Sequence, residues 1–207
     1  MKKILLILSI ALILPLQVFA QEKYSEGEHY KIIAEQVTEK KEVLEFFSFW
    51  CRHCFNFEPI VKDIKTKLAN DVQFKKVHVN FMGSTSKQNQ DDATKVMMVA
   101  NALKKSDVLN QLIFKHIHVA GLPIAGLNDL RNIYILNGIE PEQFDKMVSD
   151  PAVNSMMQDN ENTIKQYYKY ISSVPSFIVN GKYQATFTRD MTSAEMADLV
   201  VFLSNKK

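Results

Sequence analysis

The chain has 207 residues, which suits one domain or one domain carrying a sizeable insertion. Its hydrophobic content of 46% is that of an ordinary globular protein, and its formal charge is only +2. Lys2 and Lys3 lie in a segment expected to be removed; without them 23 basic residues face 23 acidic ones, which speaks against a nucleic-acid or anionic-membrane surface.

Residues 1–20 read as a secretory signal peptide. Met1-Lys2-Lys3 is a positive n-region, Ile4 to about Leu16 an apolar h-region, and Val18-Phe19-Ala20 a small-x-small cleavage site that leaves Gln21 at the mature start. The alternative, a membrane anchor, needs a longer apolar run. No cysteine stands directly after the cleavage site to take a lipid, and Ser204-Asn205-Lys206-Lys207 is not a retention signal. The expectation is cleavage after Ala20 and export to a bacterial periplasm, with no second run of membrane-spanning length.

Gln21 to Gly27 is polar and reads as loose. His29 to Val37 suggests a short first strand. Val43-Leu44-Glu45-Phe46-Phe47-Ser48-Phe49 is a near-continuous apolar run, the pattern of a central strand covered on both faces. Glu45 is the anomaly in it: an acid there is costly unless paired or neutralised, or unless it lies near the strand's start and reaches water. After Cys54, Phe57, Ile60, Val61, Ile64 and Leu68 recur at helical spacing, with Pro59 expected to kink the helix at the carbonyl of Phe55. Val72 to Asn80 reads as a second strand.

From Asp91 to about Pro175 the pattern is helical throughout. Val96, Val99, Ala100 and Leu103 form one stripe, and Val108, Leu109, Leu112 and Ile113 another. Leu122-Pro123-Ile124-Ala125-Gly126 is an apolar loop, Asn128 a candidate helix cap, and Gly138 a candidate stop. Pro141 opens a short helix with Phe144, Met147 and Val148. Met156, Met157, Ile164, Tyr167, Tyr168 and Ile171 are expected to line the core from a longer one. Strands then return: Ser176 to Asn180, a hairpin turn at Asn180-Gly181, and Lys182 to Thr188. Thr192 and Glu195 form a capping box ahead of a last helix. The order is a βαβ unit and a ββα unit separated by about 90 residues of helices, an α/β chain.

The chemistry lies at Cys51-Arg52-His53-Cys54, which holds both cysteines of the chain. In an oxidising compartment a bridge between them would close only a tiny loop and stabilise little, so chemistry explains the pair better than stapling does. Cys51 falls at a helix N-terminus, where unpaired N–H groups and the dipole favour a thiolate. Cys54, one turn further in, is expected to be more buried. Cys51 is then the exchanging sulfur and Cys54 the resolving one. Arg52 or His53 can place positive charge near Cys51. A zinc site would need four ligands, and His78, His116 and His118 with one Cys-x-x-Cys do not make a convincing set. No metal or cofactor is expected.

Four stretches in order carry a resemblance over essentially the whole mature chain: Glu45-Phe46-Phe47-Ser48-Phe49, the Cys-x-His-Cys motif, His78-Val79-Asn80-Phe81-Met82-Gly83, and Val174-Pro175-Ser176-Phe177-Ile178-Val179-Asn180-Gly181-Lys182-Tyr183. Together they resemble the DsbA family of periplasmic thiol:disulfide interchange proteins. The resemblance implies a thioredoxin fold with an inserted all-helical domain, here 21–83 and 174–207 around 84–173. It implies a protein dithiol oxidase that donates its Cys51–Cys54 disulfide to newly exported proteins, acts as a monomer, and is reoxidised by a DsbB-like quinone-linked membrane protein. Residue by residue it makes Cys51 the nucleophile, His53 its thiolate stabiliser and Cys54 the buried partner. Pro175 becomes a cis-proline, leaving the Val174 backbone to pair with a substrate peptide. Glu45 becomes a buried acid partnered by Lys76, and Glu58 a second acid near the site. The chain departs from the enterobacterial pattern with Arg52 in place of Pro, Trp50 in place of Phe, Ser173 in place of Gly, and a proline at position 59. The alternatives are a disulfide reductase or isomerase, and a peptide-binding chaperone whose cysteine pair is not essential.

Overall fold

The computed structural model describes residues 22–206; the predicted signal peptide lies outside them. The apolar run after Lys41 forms strand β2 (Glu42–Phe47), with five of its six residues buried. It lies inside a five-stranded sheet of order β1-β5-β4-β2-β3. β2 runs parallel to β3 (Gln73–His78) and antiparallel to β4 (Ser176–Val179). β5 (Tyr183–Ala185) and β1 (Tyr30–Ile32) complete the sheet, each antiparallel to its neighbour. Parallel strands need a crossover, and helix α1 (Arg52–Lys67) supplies it between β2 and β3.

Alternation along β2 distributes its side chains to two cores. Val43 packs with Phe177 and Val179 of β4 against Val61 and Ile64 of α1 and against Leu199, Val200 and Leu203 of the last helix, α7 (Ser193–Asn205). Leu44 and Phe46 pack with Ile178 on the opposite face, against Ile164 and Tyr167. Both faces being covered is why this strand reads as unbroken apolar sequence.

Five helices stand between β3 and β4: α2 (Lys87–Ala102), α3 (Ser106–His118), α4 (Leu127–Ile135), α5 (Pro141–Val148) and α6 (Pro151–Tyr167). They enclose a third core that includes Met97, Ile113, Phe114, Tyr134 and Phe144, and this core continues through Phe47 and Phe49 to both cysteines. The helical block and the strand that delivers the cysteines therefore share one apolar interior.

Two polar clamps fasten the end of β3 to this block. Asn160 of α6 accepts the His78 backbone N–H at 3.1 Å and donates to the His78 carbonyl at 2.9 Å. Gln90 of α2 does the same for Met82, at 3.0 and 2.9 Å. At the other end of the sheet the hairpin turn has Asn180 at φ +50° and Gly181 at φ +65°, as a two-residue turn between twisted strands requires. A Cβ at Gly181 would stand 2.7 Å from Thr38 Cγ2. The Asn180 side chain reaches past the turn to the carbonyls of Leu203 and Ser204, tying down the end of α7. The capping box of Thr192 and Glu195 opens that helix as predicted.

Several local expectations need correction. Tyr24, in the stretch read as loose, is buried and donates its hydroxyl to the Glu195 carbonyl. α4 begins after Gly126 with no side-chain cap, so Asn128 lies within its first turn, while Asp129 turns back to accept the Ala125 N–H. Tyr168, expected in the core, follows the end of α6 and is 62% exposed, its ring edge-on to Phe81. The first strand and the strand after the hairpin are each three residues long, shorter than their patterns suggest. By contrast, α1 runs on past Pro59 to Lys67, as the apolar spacing predicts. Among the described residues no helix is long and apolar enough to cross a membrane.

Candidate active site

β2 ends at Phe47, and Ser48 turns the chain into α1. Ser48 is fully buried; its carbonyl accepts the Cys51 N–H at 3.1 Å and its hydroxyl oxygen accepts the Trp50 N–H at 3.2 Å. This turn places Cys51 at the N-cap of α1, where its sulfur accepts the Cys54 N–H at 3.1 Å. A thiolate there replaces the side-chain oxygen that usually satisfies such an orphan donor. Both cysteines carry free thiols. Cys51 retains a little exposure and Cys54 has none, the asymmetry expected from one turn of helix.

The two sulfurs differ sharply in acidity. The Cys51 thiol is lowered to about 6, first by the hydrogen bond from the Cys54 thiol, then by the backbone N–H groups of Cys54 and His53 and by the charge of His53, against an opposing effect of burial. Cys54 is driven far up, chiefly by burial and then by its hydrogen bond to Cys51. Near neutral pH one sulfur is therefore mostly thiolate and the other a thiol. The expected order of effects on the Cys51 titration follows. Cys54→Ala raises its midpoint most, His53→Ala raises it less, and Arg52→Ala leaves it nearly unmoved. Thiolate ultraviolet absorbance against pH checks this, and an Arg52 effect larger than that of Cys54 would contradict it.

Arg52 is small in that ranking because it points elsewhere. Its guanidinium donates to the His118 carbonyl at the end of α3, at 2.7 Å. The His118 ring stacks on Phe55 and its Nε2 lies 2.8 Å from the Phe49 carbonyl. Arg52 and His118 thus latch the start of α1 to the helical block. Sequence reading weighs His118 only as a metal ligand; its position three turns along a helix distant in the chain carries no local signal of this contact.

Opposite the cysteines, the Cys51 thiol donates to the Val174 carbonyl at 3.4 Å. The Val174–Pro175 bond is cis. Val174 packs against the cysteine core and the α6 core together, so the segment before β4 lies beside the reactive sulfur. His53 is exposed at the rim.

Beneath the pair lies a buried charge cluster. The parallel register places Glu45 beside Lys76. Lys76 Nζ donates to Glu45 Oε2 at 2.7 Å and to Glu58 Oε1 at 2.6 Å, and sits 4.4 Å from the Phe47 ring centre. Gln111 of α3 donates to the second Glu58 oxygen at 2.8 Å. Glu45 is fully buried and its Oε1 has no hydrogen-bond partner among the described residues. Burial raises the Glu45 carboxyl above the ordinary carboxylate range, with Lys76 opposing it; the two carboxylates hold Lys76 protonated despite its burial. Gln111 was not anticipated, since an isolated glutamine on a helix reads as surface.

His78 is buried against Phe47, Phe49 and Trp50. Its Nδ1 lies 2.8 Å from the Thr94 hydroxyl, which itself donates to the Gln90 carbonyl. Burial holds the ring at about 3, well below its usual value, so it is neutral. No group of three metal-binding side chains occurs among the described residues. His78, His116 and His118 do not converge on the cysteines as ligands.

This geometry can be compared with known proteins. Residues 42–197 match the family model described as a DSBA-like thioredoxin domain. The chain is 34% identical to the thiol:disulfide interchange protein DsbA of Haemophilus influenzae, over 89% of this chain and 88% of the relative. It is 33% identical to that of Escherichia coli K12 over the full length of both. Among solved structures, DsbA from Klebsiella pneumoniae superposes with a TM-score of 0.78 at 26% identity, covering 90% of this chain and all of that one. A Proteus mirabilis DsbA structure with a non-covalently bound peptide, PWATCDS, gives 0.75 at 25% identity, over 88% and 97%. With a polarised cysteine pair at the N-terminus of α1, and a thioredoxin-type sheet interrupted by helices, the chain belongs to the DsbA family of thiol:disulfide oxidoreductases.

Proposed function

We propose that Cys51 is the sulfur through which the chain donates its Cys51–Cys54 disulfide to newly exported proteins. In the first step a substrate thiolate attacks Cys51 Sγ. The Cys51–Cys54 bond breaks, a mixed disulfide forms, and Cys54 leaves and takes up a proton. A second substrate thiolate then attacks the substrate sulfur of that mixed disulfide and expels Cys51 as a thiolate. The substrate dithiol is oxidised by two electrons and the cysteine pair is reduced by two. The observation that carries this reading is the asymmetry of the pair. Cys51 is held as a stabilised thiolate at the N-cap. Such a group leaves readily, which favours completing the transfer over reversing it.

The supporting roles follow from position. His53 adds a backbone N–H and charge to the Cys51 thiolate. The Val174 carbonyl beside Cys51, with Pro175 after it, offers main-chain pairing to an extended peptide. The peptide-bound Proteus mirabilis structure supports that substrate class. Glu45, Lys76 and Glu58 set the field below Cys54, and Arg52 braces the helix start. The signal-like first 20 residues support a periplasmic location, and the chemistry calls for reoxidation by a DsbB-like quinone-linked membrane protein. We take residues 84–173 as the inserted domain and the protein as a monomer. No metal or cofactor enters the proposed exchange.

The direct test mixes the oxidised protein with an equimolar reduced, unfolded protein. One dithiol should disappear from the substrate for each dithiol that appears on this chain. Substrate thiols that remain free would overturn the reading.

A further inference from the structure

We propose that the open cleft between α1 and α3 is a binding site for a small amphiphilic anion, an acyl carboxylate being the simplest example. The cleft has a volume of about 1010 Å³, at the upper end of the range for ligand sites. It is a different place from the Cys51–Val174 face where thiol exchange is proposed.

The two helices are joined across this cleft by polar bridges. Gln111 reaches Glu58 in the floor, and Lys65 pairs with Asp107 across one part of it. What stays open between the bridges is apolar: Phe55, Pro59 and Val108 line it, and Val108 is 65% exposed. A helix position so placed is normally covered or polar, and the volume suits an apolar body.

The charges around this floor specify the other end of the ligand. Both Glu58 oxygens are already engaged, by Lys76 and Gln111, and Asp107 is engaged by Lys65. The cleft's carboxylates are thus compensated. Lys62 and Lys115, one from each wall, form no ion pair among the described residues. Each exposed ammonium, Lys62 on the α1 wall or Lys115 on the α3 wall, stands beside apolar lining, and such a pairing complements a molecule with an apolar body and a single negative head. A cation would meet unopposed lysines, and a neutral body would leave them without a partner.

The experiment uses three probes with one chain and different heads: octanoate, octanol and octylammonium, each titrated below its aggregation threshold and followed by backbone amide NMR shifts. Octanoate should give saturable shifts centred on Phe55, Val108 and Lys115. It should bind about threefold more tightly than octanol, the gain from one exposed ion pair with Lys62 or Lys115, and octylammonium more weakly than either. The exposed double variant Lys62→Gln/Lys115→Gln should keep its fold and bring the octanoate-to-octanol ratio near one. A second variant, Val108→Glu, should weaken octanoate and octanol together. Equal binding of the three probes, an unchanged ratio in the lysine variant, shifts centred elsewhere, or no saturable shift would each overturn the proposal.

Discussion

Lys76→Met is expected to destabilise the protein by about 3–5 kcal/mol near pH 8, because it leaves Glu45 buried without its cation. The loss should shrink as pH falls. Burial already raises the Glu45 carboxyl in the folded state. For an acid whose folded-state value lies above the unfolded one, the folded state binds more protons, and stability decreases as pH rises through that window. Removing Lys76 lifts the Glu45 value further, so the window begins near the ordinary carboxylate value of about 4.3 and extends higher than in the parent. At about pH 4 Glu45 is protonated in the folded state and mostly protonated in the unfolded one, so the variant's extra loss is small. The double variant Glu45→Met/Lys76→Met should recover much of the stability, since a packed apolar pair replaces a buried ionic one. Glu58 keeps its hydrogen bond from Gln111. Urea unfolding of the three variants at both pH values checks this. A Lys76→Met loss independent of pH, with no recovery in the double variant, would show that packing rather than charge is what Lys76 supplies.

Replacing either cysteine with serine should separate the roles of the two sulfurs. Cys54→Ser keeps the Cys51 sulfur at the N-cap but removes the group that resolves its adducts. Mixed with a disulfide-bearing substrate, it should accumulate a covalent complex that a reducing agent releases. Cys51→Ser leaves only a sulfur with no exposure, whose acidity is far too weak for a thiolate near neutral pH. That variant should form no complex, and disulfide donation should fall to the uncatalysed background. Non-reducing electrophoresis with mass spectrometry of the adduct reads the difference. Adducts of equal yield in both variants would contradict an exchange restricted to Cys51.

What was legible in the sequence is local. Two cysteines three positions apart after an apolar run specify a strand, a turn and a helix N-terminus, and those place one sulfur out and one in. Asn180-Gly181 and the Thr192–Glu195 box likewise act within a few residues of themselves. The anomaly of Glu45 was visible as a cost, but its partner was not: Lys76 is 31 residues away and becomes a neighbour only through the parallel register of β2 and β3. The family resemblance, rather than any pattern, supplied that pairing. Gln90, Asn160, Gln111 and His118 were missed for the same reason. Each is a polar side chain on a helix, where periodicity assigns polar residues to water, yet each bonds across elements far apart in the chain. Arg52 was read as a charge for Cys51. Its length instead carries the guanidinium to the His118 carbonyl, a contact that only tertiary structure can reveal.

Equilibrating the protein with graded glutathione buffers shows whether this geometry makes the pair a disulfide donor. The fluorescence of Trp50, the chain's one tryptophan and the residue before Cys51, reads the redox state. A thiolate stabilised to about 6 favours the reduced pair, so the expected potential is clearly more oxidising than the about −270 mV of thioredoxin. A value at or below that of thioredoxin would contradict it and assign the chain to disulfide reduction.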